Sequence, residues 1–553
     1  MTATAFAPGV RGNPPDETDH GVNESLFPLL WSGDDDRFVN ESTYYNRTGE
    51  RRTPLEVIAN GTDIPLDEPP EAVEDWNFGD LQEIPETNRS VSIGPAGVKR
   101  SRATVIRDAF VSIFAIQPST STHLRPSQRP LYVGPTGSVL ALVDYRVQLL
   151  NDRQSGNVTH RSRLESHRIR DLRLYVDGER ENSTRGSQTT ALGYDDLADY
   201  PGREHNLTIA ADIVVTVNRT KSECLGRAAN GTCERWHNET RSIRATHTVS
   251  DSREVHEYRP SVVGLRTQYP TGEYGLKLRV NEPWLGFETP AGTVRGSWRF
   301  YSARDVSWDS LSIISADRTR EIHSPAHPLQ VHAYPIRGGP ISRSGSIRIL
   351  DSSGRRMDAP KLGPTINLDV ANRSYTASSE LVTQIEDLPG GELNGTIEGL
   401  VRGSDISLSE AKLRDVPLIE TDLDLTVRSI DDGMAVVELS LREATSGEPI
   451  DTSAGVGELR IGDTPVKTDS DGVVVRKVPV GNGLIRARYE PAPWWEQTPG
   501  YTSASNAVFA SQSALDIVNA VFQIGVPIGL VLLAAFLVDR ITGIPIWPPW
   551  RLG

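Results

Sequence analysis

Cys224 and Cys233 are the only thiols in this chain of 553 residues, and eight residues separate them. The segment between them, Leu-Gly-Arg-Ala-Ala-Asn-Gly-Thr, is typical of a turn. A short disulfide that closes a hairpin tip is therefore the favoured interpretation in an oxidising exterior. A zinc site would need further ligands at CxxC-type spacing, which the sequence lacks. Two free thiols, or a catalytic thiol, are the alternatives.

Asparagine is the second residue type whose spacing indicates chemistry, in this case attachment of glycans. Of the 21 asparagines, 13 stand in Asn-x-Ser/Thr triplets, whereas chance would give about three. This excess predicts N-glycosylation of an exported surface. The alternative is that Asn and Ser/Thr merely co-occur in loops. The predicted sites are Asn23, Asn40, Asn46, Asn60, Asn88, Asn157, Asn182, Asn206, Asn218, Asn230, Asn238, Asn372 and Asn394.

Histidines and catalytic motifs give weaker signals. His323, His327 and His332 form the densest histidine cluster, but Pro325 and Pro328 interrupt any helix that would bring the three imidazoles onto one metal ion. A rigid loop docked on a β core is the favoured interpretation. The sequence contains no His-Glu-x-x-His, Gly-x-Ser-x-Gly, Walker A or Gly-x-Gly-x-x-Gly motif. We therefore expect no catalytic residues, no bound metal and no cofactor.

The charge balance restricts the class of partner. Asp and Glu number 73 against 58 Lys and Arg, a net charge of -15. This argues against a nucleic-acid binder, which needs clustered positive charge. Arginines number 51 and lysines only 7, and such an acidic, arginine-rich composition resembles that of proteins from salt-loving archaea.

Residues 517–538 contain no charged side chain. As a helix these residues would span about 33 Å, enough for a bilayer core of about 30 Å. They predict a single membrane-spanning helix, with a buried core helix as the alternative. Flanking residues favour an outside N-terminus and a short cytoplasmic tail, residues 539–553. No apolar export signal follows Met1, but Ala5-Phe6-Ala7 has the small-x-small form of a cleavage region, so we interpret residues 1–7 as the remnant of a signal peptide whose true start lies upstream.

The secondary structure that could position the cysteines, sequons and histidines consists of β-strands. Apolar residues alternate over 139–147, 172–176 and 207–217, and Asp177-Gly178 is a favoured hairpin turn. One buried and one wet face indicate antiparallel sandwiches. The predicted fold is mainly β, with tandem immunoglobulin-like β-sandwich domains followed by a single C-terminal transmembrane helix. Its predicted segments are a loosely ordered acidic segment (1–100), an immunoglobulin-like domain with a long hairpin (101–260), a second β-rich domain (261–415), a third sandwich (416–491), a linker (492–516), the membrane helix (517–538) and the tail (539–553).

The third sandwich resembles a known module. Alternating strands are followed by Thr445-Ser-Gly-Glu-Pro-Ile450, then Thr468-Asp-Ser-Asp-Gly472, then a strand ending Ala487-Arg-Tyr489. This order over residues 416–491 resembles carboxypeptidase-regulatory-like (transthyretin-type) β-sandwich modules. The resemblance implies a spacer or stalk. Asp469 and Asp471 are interpreted as capping their own turn, with weak calcium binding as the alternative.

A second resemblance covers most of residues 100–500. It rests on segments such as Asn281-Glu-Pro-Trp-Leu-Gly286, Trp298-Arg-Phe-Tyr-Ser-Ala-Arg304 and Tyr489-Glu-Pro-Ala-Pro-Trp-Trp495. Through them the chain resembles an uncharacterised family of haloarchaeal, C-terminally anchored surface proteins. The resemblance implies surface anchoring and no known activity.

Together these patterns predict an N-glycosylated surface protein of the cytoplasmic membrane with an interaction or envelope-structural role and no catalysis. Its expected partners are the lipid bilayer, through residues 517–538, and surface proteins or glycans, but not nucleic acid. The alternatives are an accessory subunit of a membrane complex, a surface glycan or peptide hydrolase, and a virus-type spike.

Overall fold

The computed structural model describes residues 91–308, 310–324, 328–335, 338–361, 374–386, 393–481, 483–510, 522–534 and 536–537. The prediction of a mainly β fold is confirmed, since almost every described element is a strand. Contacts divide the chain into two compact units. The first unit comprises residues 1–264 and 276–412, and the second comprises residues 265–275 and 413–553.

The first unit is built around one ten-stranded sheet with the order β14-β17-β2-β3-β9-β8-β5-β4, in which β6 pairs with β5 and β7 with β3. Its strands are β2 (Ile106–Thr122), β3 (Leu131–Val147), β4 (Arg153–Ser155), β5 (Val158–Val176), β6 (Glu179–Arg185), β7 (Thr189–Tyr194), β8 (Glu204–Arg227), β9 (Cys233–Glu257), β14 (Trp298–Arg304) and β17 (Leu329–Pro335).

The three predicted alternating segments lie in β3, β5 and β8 of this sheet. The predicted hairpin turn at Asp177-Gly178 is confirmed, because both residues have positive φ and β5 pairs with β6 across them. The inward residues of β8 are fully buried in the largest apolar core, namely Leu207, Ile209, Ala211, Ile213, Val215 and Val217.

The prediction of a wet opposite face on β8 is wrong for part of the strand. Ala210, Asp212 and Val214 point away from this core and are also buried. Arg170 and Arg173, from β5, donate hydrogen bonds to the Asp212 carboxylate and so cover this part of the sheet.

Three smaller sheets complete the first unit. They have the orders β1-β15-β16, β18-β13-β12-β21-β22 and, in the part that lies in this unit, β19-β20-β11. Their strands are β1 (Ser92–Pro95), β11 (Tyr274–Val280), β12 (Trp284–Thr289), β13 (Gly292–Arg295), β15 (Ser310–Ile314), β16 (Thr319–His323), β18 (Ile341–Ser342), β19 (Ile347–Met357), β20 (Tyr375–Ile385), β21 (Thr396–Gly399) and β22 (Ile406–Ser407). Short 3-10 turns span Leu197–Asp199 and Val306–Trp308.

The large sheet extends across residue 260, the predicted boundary between the first two β domains. β17 pairs in parallel with β2, and β14 pairs with β17. The buried Tyr258 hydroxyl also joins the two regions, donating to the Pro283 carbonyl at 2.5 Å and accepting from the Leu400 amide at 3.0 Å. The two predicted domains therefore share a sheet and a hydrogen-bond network within one unit.

The second unit contains a two-sheet sandwich. Sheets of order β25-β26-β29 and β28-β27-β30-β32 enclose a core that includes Leu439, Leu459 and Tyr489, and β24 pairs in parallel with β31. Its strands are β23 (Lys412–Asp415), β24 (Leu418–Ile419), β25 (Thr421–Asp431), β26 (Met434–Glu443), β27 (Gly457–Ile461), β28 (Thr464–Val466), β29 (Val473–Pro479), β30 (Leu484–Pro491), β31 (Gly500–Tyr501) and β32 (Ala504–Phe509). A 3-10 turn spans Thr452–Ala454.

The turn at residues 469–473 of this sandwich is capped by its own side chain, as its sequence predicts. The Asp469 carboxylate accepts the backbone amides of Asp471 and Val473, each at 3.0 Å. Gly472 has a φ of 72°, and a Cβ there would stand 2.6 Å from the Leu441 carbonyl oxygen, so the position requires glycine. The hairpin of β10 (Val262–Gln268) and β11 contributes its tip to this unit, where the Trp494 indole donates to the Tyr269 hydroxyl at 2.9 Å.

Residues 522–534 and 536–537 are helical, and the remainder of the predicted membrane span, 517–538, lies outside the described residues. Within the part of the chain that the structure describes, no helix combines the length and apolar character needed to cross a membrane. Several side chains of this helix are more than half exposed, namely Phe522, Ile524, Ile528, Leu530, Val531 and Leu533.

Candidate interaction site

The long hairpin of β8 and β9 changes character along its length. β5, β8 and β9 first form a root, whose inward residues end at the fully buried Val217. Beyond it the same strands continue as an arm, which we define as residues 153–163 and 218–242. Of the described residues, none forms an apolar core under the arm comparable to that of the root, and residues 234–242 of β9 are all exposed. It is held by strand pairing, so its side chains are available for contacts.

Strand register assigns the arm two faces. Residues at β8 positions 219, 221 and 223 continue the line of the buried root and form the core-side face. Positions 218, 220 and 222 form the outer face. Directly opposite residues share a face in an antiparallel pair, so Glu239 and Arg241 of β9 lie on the core-side face and Trp236 and Asn238 on the outer face.

Four of the predicted glycosylation sites belong to the arm. Asn218 and Asn238 stand on the outer face, and Asn157 and Asn230 lie in the turns at its end. Of the seven sequon asparagines that the structure describes, six are exposed and Asn218 is half-buried. The other three described sites are Asn182, Asn206 and Asn394. Asn23, Asn40, Asn46, Asn60, Asn88 and Asn372 lie outside the described residues.

Cys224 and Cys233 form a disulfide at the tip of the arm, with their Cα atoms 5.8 Å apart. Between them the Ala228 amide donates to the Thr232 carbonyl at 2.8 Å, and Gly231 has a φ of 82°. The Asn230 carboxamide oxygen accepts the Thr232 amide at 3.0 Å. The bridge therefore fixes a tight turn that presents a sequon asparagine. Trp236 stands opposite Cys224 and is 49% exposed.

The arm is basic although the chain is acidic. It contains eight Arg or Lys side chains against three Glu, a charge of +5, whereas the whole chain carries -15. Like charges stand directly opposite each other at Arg219 and Arg241. In the root, by contrast, Asp212 accepts hydrogen bonds from Arg173 at 2.8 and 2.7 Å and from Thr248 at 2.7 Å. The Arg173 bonds, ahead of the other contacts, hold the pKa of Asp212 well below its usual range.

His323 and His332, the two described members of the histidine cluster in the sequence, lie on different strands. His323 belongs to β16, His327 lies outside the described residues, and His332 belongs to β17. His332 instead contacts His123, with Nδ1 and Nε2 2.8 Å apart, and the His123 ring stacks on Tyr334. Burial, above all, lowers the pKa of His123 to about 2 and that of His332 to about 3. Sequence reasoning missed His123, because 209 residues separate it from its partner.

Other candidate chemistry is sparse among the described residues. They contain no group of three or more His, Cys, Asp or Glu side chains placed to hold a metal ion. Trp284 and Phe287 are aromatic side chains of the kind that can form the floor of a carbohydrate or protein site, but they are 2% and 0% exposed here. A polar groove of about 390 Å³ lies beside β3 and β9. Its charged side chains are mixed in sign, comprising Arg129, Arg253, Glu204 and Glu254, and His256 Nε2 lies 3.1 Å from Glu204 Oε1.

Comparison with known proteins identifies the family to which this chain belongs. No curated protein matches the chain. Among solved structures, the central fibronectin-III array of RIM-binding protein is matched at 9% identity over 71% of this chain and 97% of that chain, with a TM-score of 0.12, too low to support an argument about fold. Three successive regions match parts of one family: "Domain of unknown function (DUF8186) N-terminal domain" over residues 82–258, its central domain over 262–409 and its C-terminal domain over 418–508. The chain therefore belongs to the DUF8186 family.

Proposed function

We propose that this protein is an N-glycosylated surface protein, held in the cytoplasmic membrane by residues 517–538, whose exterior β domains serve interaction or envelope structure without catalysis. The observation that carries the proposal is the placement of its sequons. None of the seven described sequon asparagines is buried, and four cluster on the arm. Attachment of a bulky, solubilising glycan requires such exposure.

The proposed anchor is supported by composition and by exposure. Residues 517–538 are uncharged, and the described part of this segment exposes Phe522, Leu530 and Val531 at 60% or more. A helix that is apolar all round is suited to a bilayer or to a core. The outside position of the N-terminus, and the relation to haloarchaeal surface proteins, belong to the same proposal.

Glycopeptide mass spectrometry on the native membrane fraction tests glycosylation. We expect modification at Asn157, Asn218, Asn230 and Asn238. Asn151 is a matched control within the chain, because it is exposed and close to Asn157 but lies in no sequon. Unmodified asparagines at all of the sequons would overturn this part of the proposal.

Extraction of membranes with alkaline carbonate tests the anchor. The full chain should stay in the membrane pellet, and Leu530→Arg with Leu533→Arg should release it, because two central charges make insertion unfavourable. Leu225→Arg is the matched control, since Leu225 is 51% exposed at the arm tip. Release of the unmodified chain, or retention of the double variant, would contradict anchoring by this segment.

A further inference from the structure

The two lateral edges of the arm differ. The outer edge of β5 is covered by β4, which pairs Arg153–Ser155 with Val158–His160. The outer edge of β9 pairs with β3 only at His256 and Glu257. Two side chains of β9 between the open part and this pairing also make hydrogen bonds. His247 is hydrogen-bonded to the Ser101 hydroxyl, and the Asp251 carboxylate accepts the Ile113 amide. Residues 234–246 form an open edge, which pairs with no strand that the structure describes.

An open edge of this length favours pairing with another strand. It covers 13 residues, about twice the length of an average strand. Its outward amides and carbonyls form a template for an incoming strand. Edges that stay single are usually short, capped or bulged, as the β5 edge is capped here by β4.

The sequence of the open edge is complementary to itself. Thr240 is its midpoint, so antiparallel pairing about a two-fold axis at Thr240 uses all 13 residues. That register places Glu239 opposite Arg241 of the second copy, and Arg241 opposite its Glu239. Within one chain Arg241 faces Arg219, a like charge, on its other side. A carboxylate supplied by the second copy would offset this repulsion.

The outer face is complementary in the same register. Trp236, 49% exposed, would stand opposite Arg244 of the second copy, which suits a cation–π contact. Asn238 would stand opposite Ser242. Side chains project perpendicular to a sheet, so glycans on Asn218 and Asn238 would leave the edge itself accessible. The core-side face, which holds the Glu239 and Arg241 pairs, carries no sequon on the arm strands.

We propose that β9 pairs antiparallel with β9 of a second copy of this chain across a two-fold axis at Thr240, so that the two arms form one continuous sheet. Closed two-fold symmetry uses the same edge on both copies. The outer faces of the two arms then lie on the same side of the joined sheet.

A charge-swap experiment on the full chain tests this pairing. Sedimentation velocity in detergent would give the dimer dissociation constant of the unmodified chain, Glu239→Arg, Arg241→Glu and an equal mixture of the two variants. Each variant alone places like charges opposite each other twice, so we expect its dimer to weaken by about 10- to 30-fold. In the mixture every Arg faces a Glu, and the affinity should return. Both substitutions keep the Asn238 sequon intact.

Arg161→Glu provides the matched control, because Arg161 is an exposed arginine on the β4-covered strand. It should leave the dissociation constant unchanged. A monomeric unmodified chain would overturn the proposal. So would a dimer that neither single variant weakens, since association would then use another surface such as residues 517–538. Failure of the mixture to regain affinity would exclude pairing at Thr240.

Discussion

The root and the arm are two regions of the same three strands, and they differ in what holds them. At the root, Ile209, Ile213 and Val217 of β8 are fully buried. Past Val217 the same alternation continues with Arg219, Lys221 and Glu223, and no apolar layer from the described part of the chain covers either face. Strand pairing therefore extends well beyond the core. The root supplies the stability, and the arm uses that stability to present charge, sequons and an edge.

Net charge is also distributed unevenly along the chain. Residues 1–90, which lie outside the described residues, carry 19 acidic and six basic side chains, a charge of -13. Residues 91–553 carry 54 acidic and 52 basic side chains, so their net charge is only -2. The acidity of the protein belongs mainly to its N-terminal sequence. A charge of +5 on the arm is therefore a clear local excess.

The sharpest contrast between root and arm should come from truncation of Ile213. Ile213→Ala removes fully buried methyl groups from the largest core, and we expect a loss of about 2–5 kcal/mol in the free energy of unfolding. Thr220→Ala, on the arm, should change it by less than about 0.5 kcal/mol. Urea unfolding measures both. Equal losses would mean that the arm contributes to stability as the root does.

The buried face of the root could be predicted from the sequence, but the distant strands that join its sheet could not. Alternation over 207–217 identifies the buried face because apolar residues recur every second position. The same signal fails for the arm, where both faces are polar and a polar pattern does not specify register. β14 and β17 join the large sheet from beyond residue 260, a non-local pairing that leaves no trace in local periodicity.

The candidate site shows the same limit, because only contacts between residues that are close in sequence could be predicted. Cys224 and Cys233 are close in sequence, so their spacing predicts a turn and a bridge. His123 and His332 meet only through the parallel pairing of β2 with β17. Asp212 looks like an ordinary outward carboxylate in the sequence, and only the register that places Arg170 and Arg173 beside it explains why it is buried.

A second contrast comes from charge buried in the root. Asp212→Ala leaves Arg170 and Arg173 without their shared carboxylate, and we expect a loss of about 1–3 kcal/mol, because both arginines keep some exposure. Asp212→Asn, which keeps an acceptor oxygen, should cost less. Arg161→Ala, on the exposed arm but away from the open edge, is the matched control and should stay within about 0.5 kcal/mol.

The lowered pKa of Asp212 also predicts a pH dependence. Its folded-state pKa is depressed, so its contribution is present above the unfolded-state pKa of about 4 and is lost as pH falls through the folded value. Urea unfolding from pH 7 to pH 3 should show this loss, and Asp212→Asn should flatten it. An unchanged slope would contradict the ion-pair interpretation.

A smaller effect, outside the root and the arm, should come from the histidine pair. Folding lowers the pKa of His123 to about 2 and that of His332 to about 3, whereas the unfolded values are about 6.5. The folded state thus binds fewer protons, so stability is full above pH 6.5 and falls as pH decreases from there. His123→Phe, which keeps a ring over Tyr334, should reduce this slope between pH 6.5 and 5, where Asp212 does not yet titrate. If the slope is unchanged, His123 does not contribute to it.

The smallest effect on global stability should come from the disulfide at the arm tip. A bridge that closes a loop of this size would contribute roughly 2–3 kcal/mol if arm and root unfolded together. Because no apolar core couples them, we expect Cys224→Ser with Cys233→Ser to change the urea midpoint very little and to increase amide exchange locally around residues 224–236. Hydrogen exchange with mass spectrometry resolves the two regions. A fall of the full size in global stability would show that the arm unfolds only with the root, and strand pairing alone would then suffice to transmit stability along the hairpin.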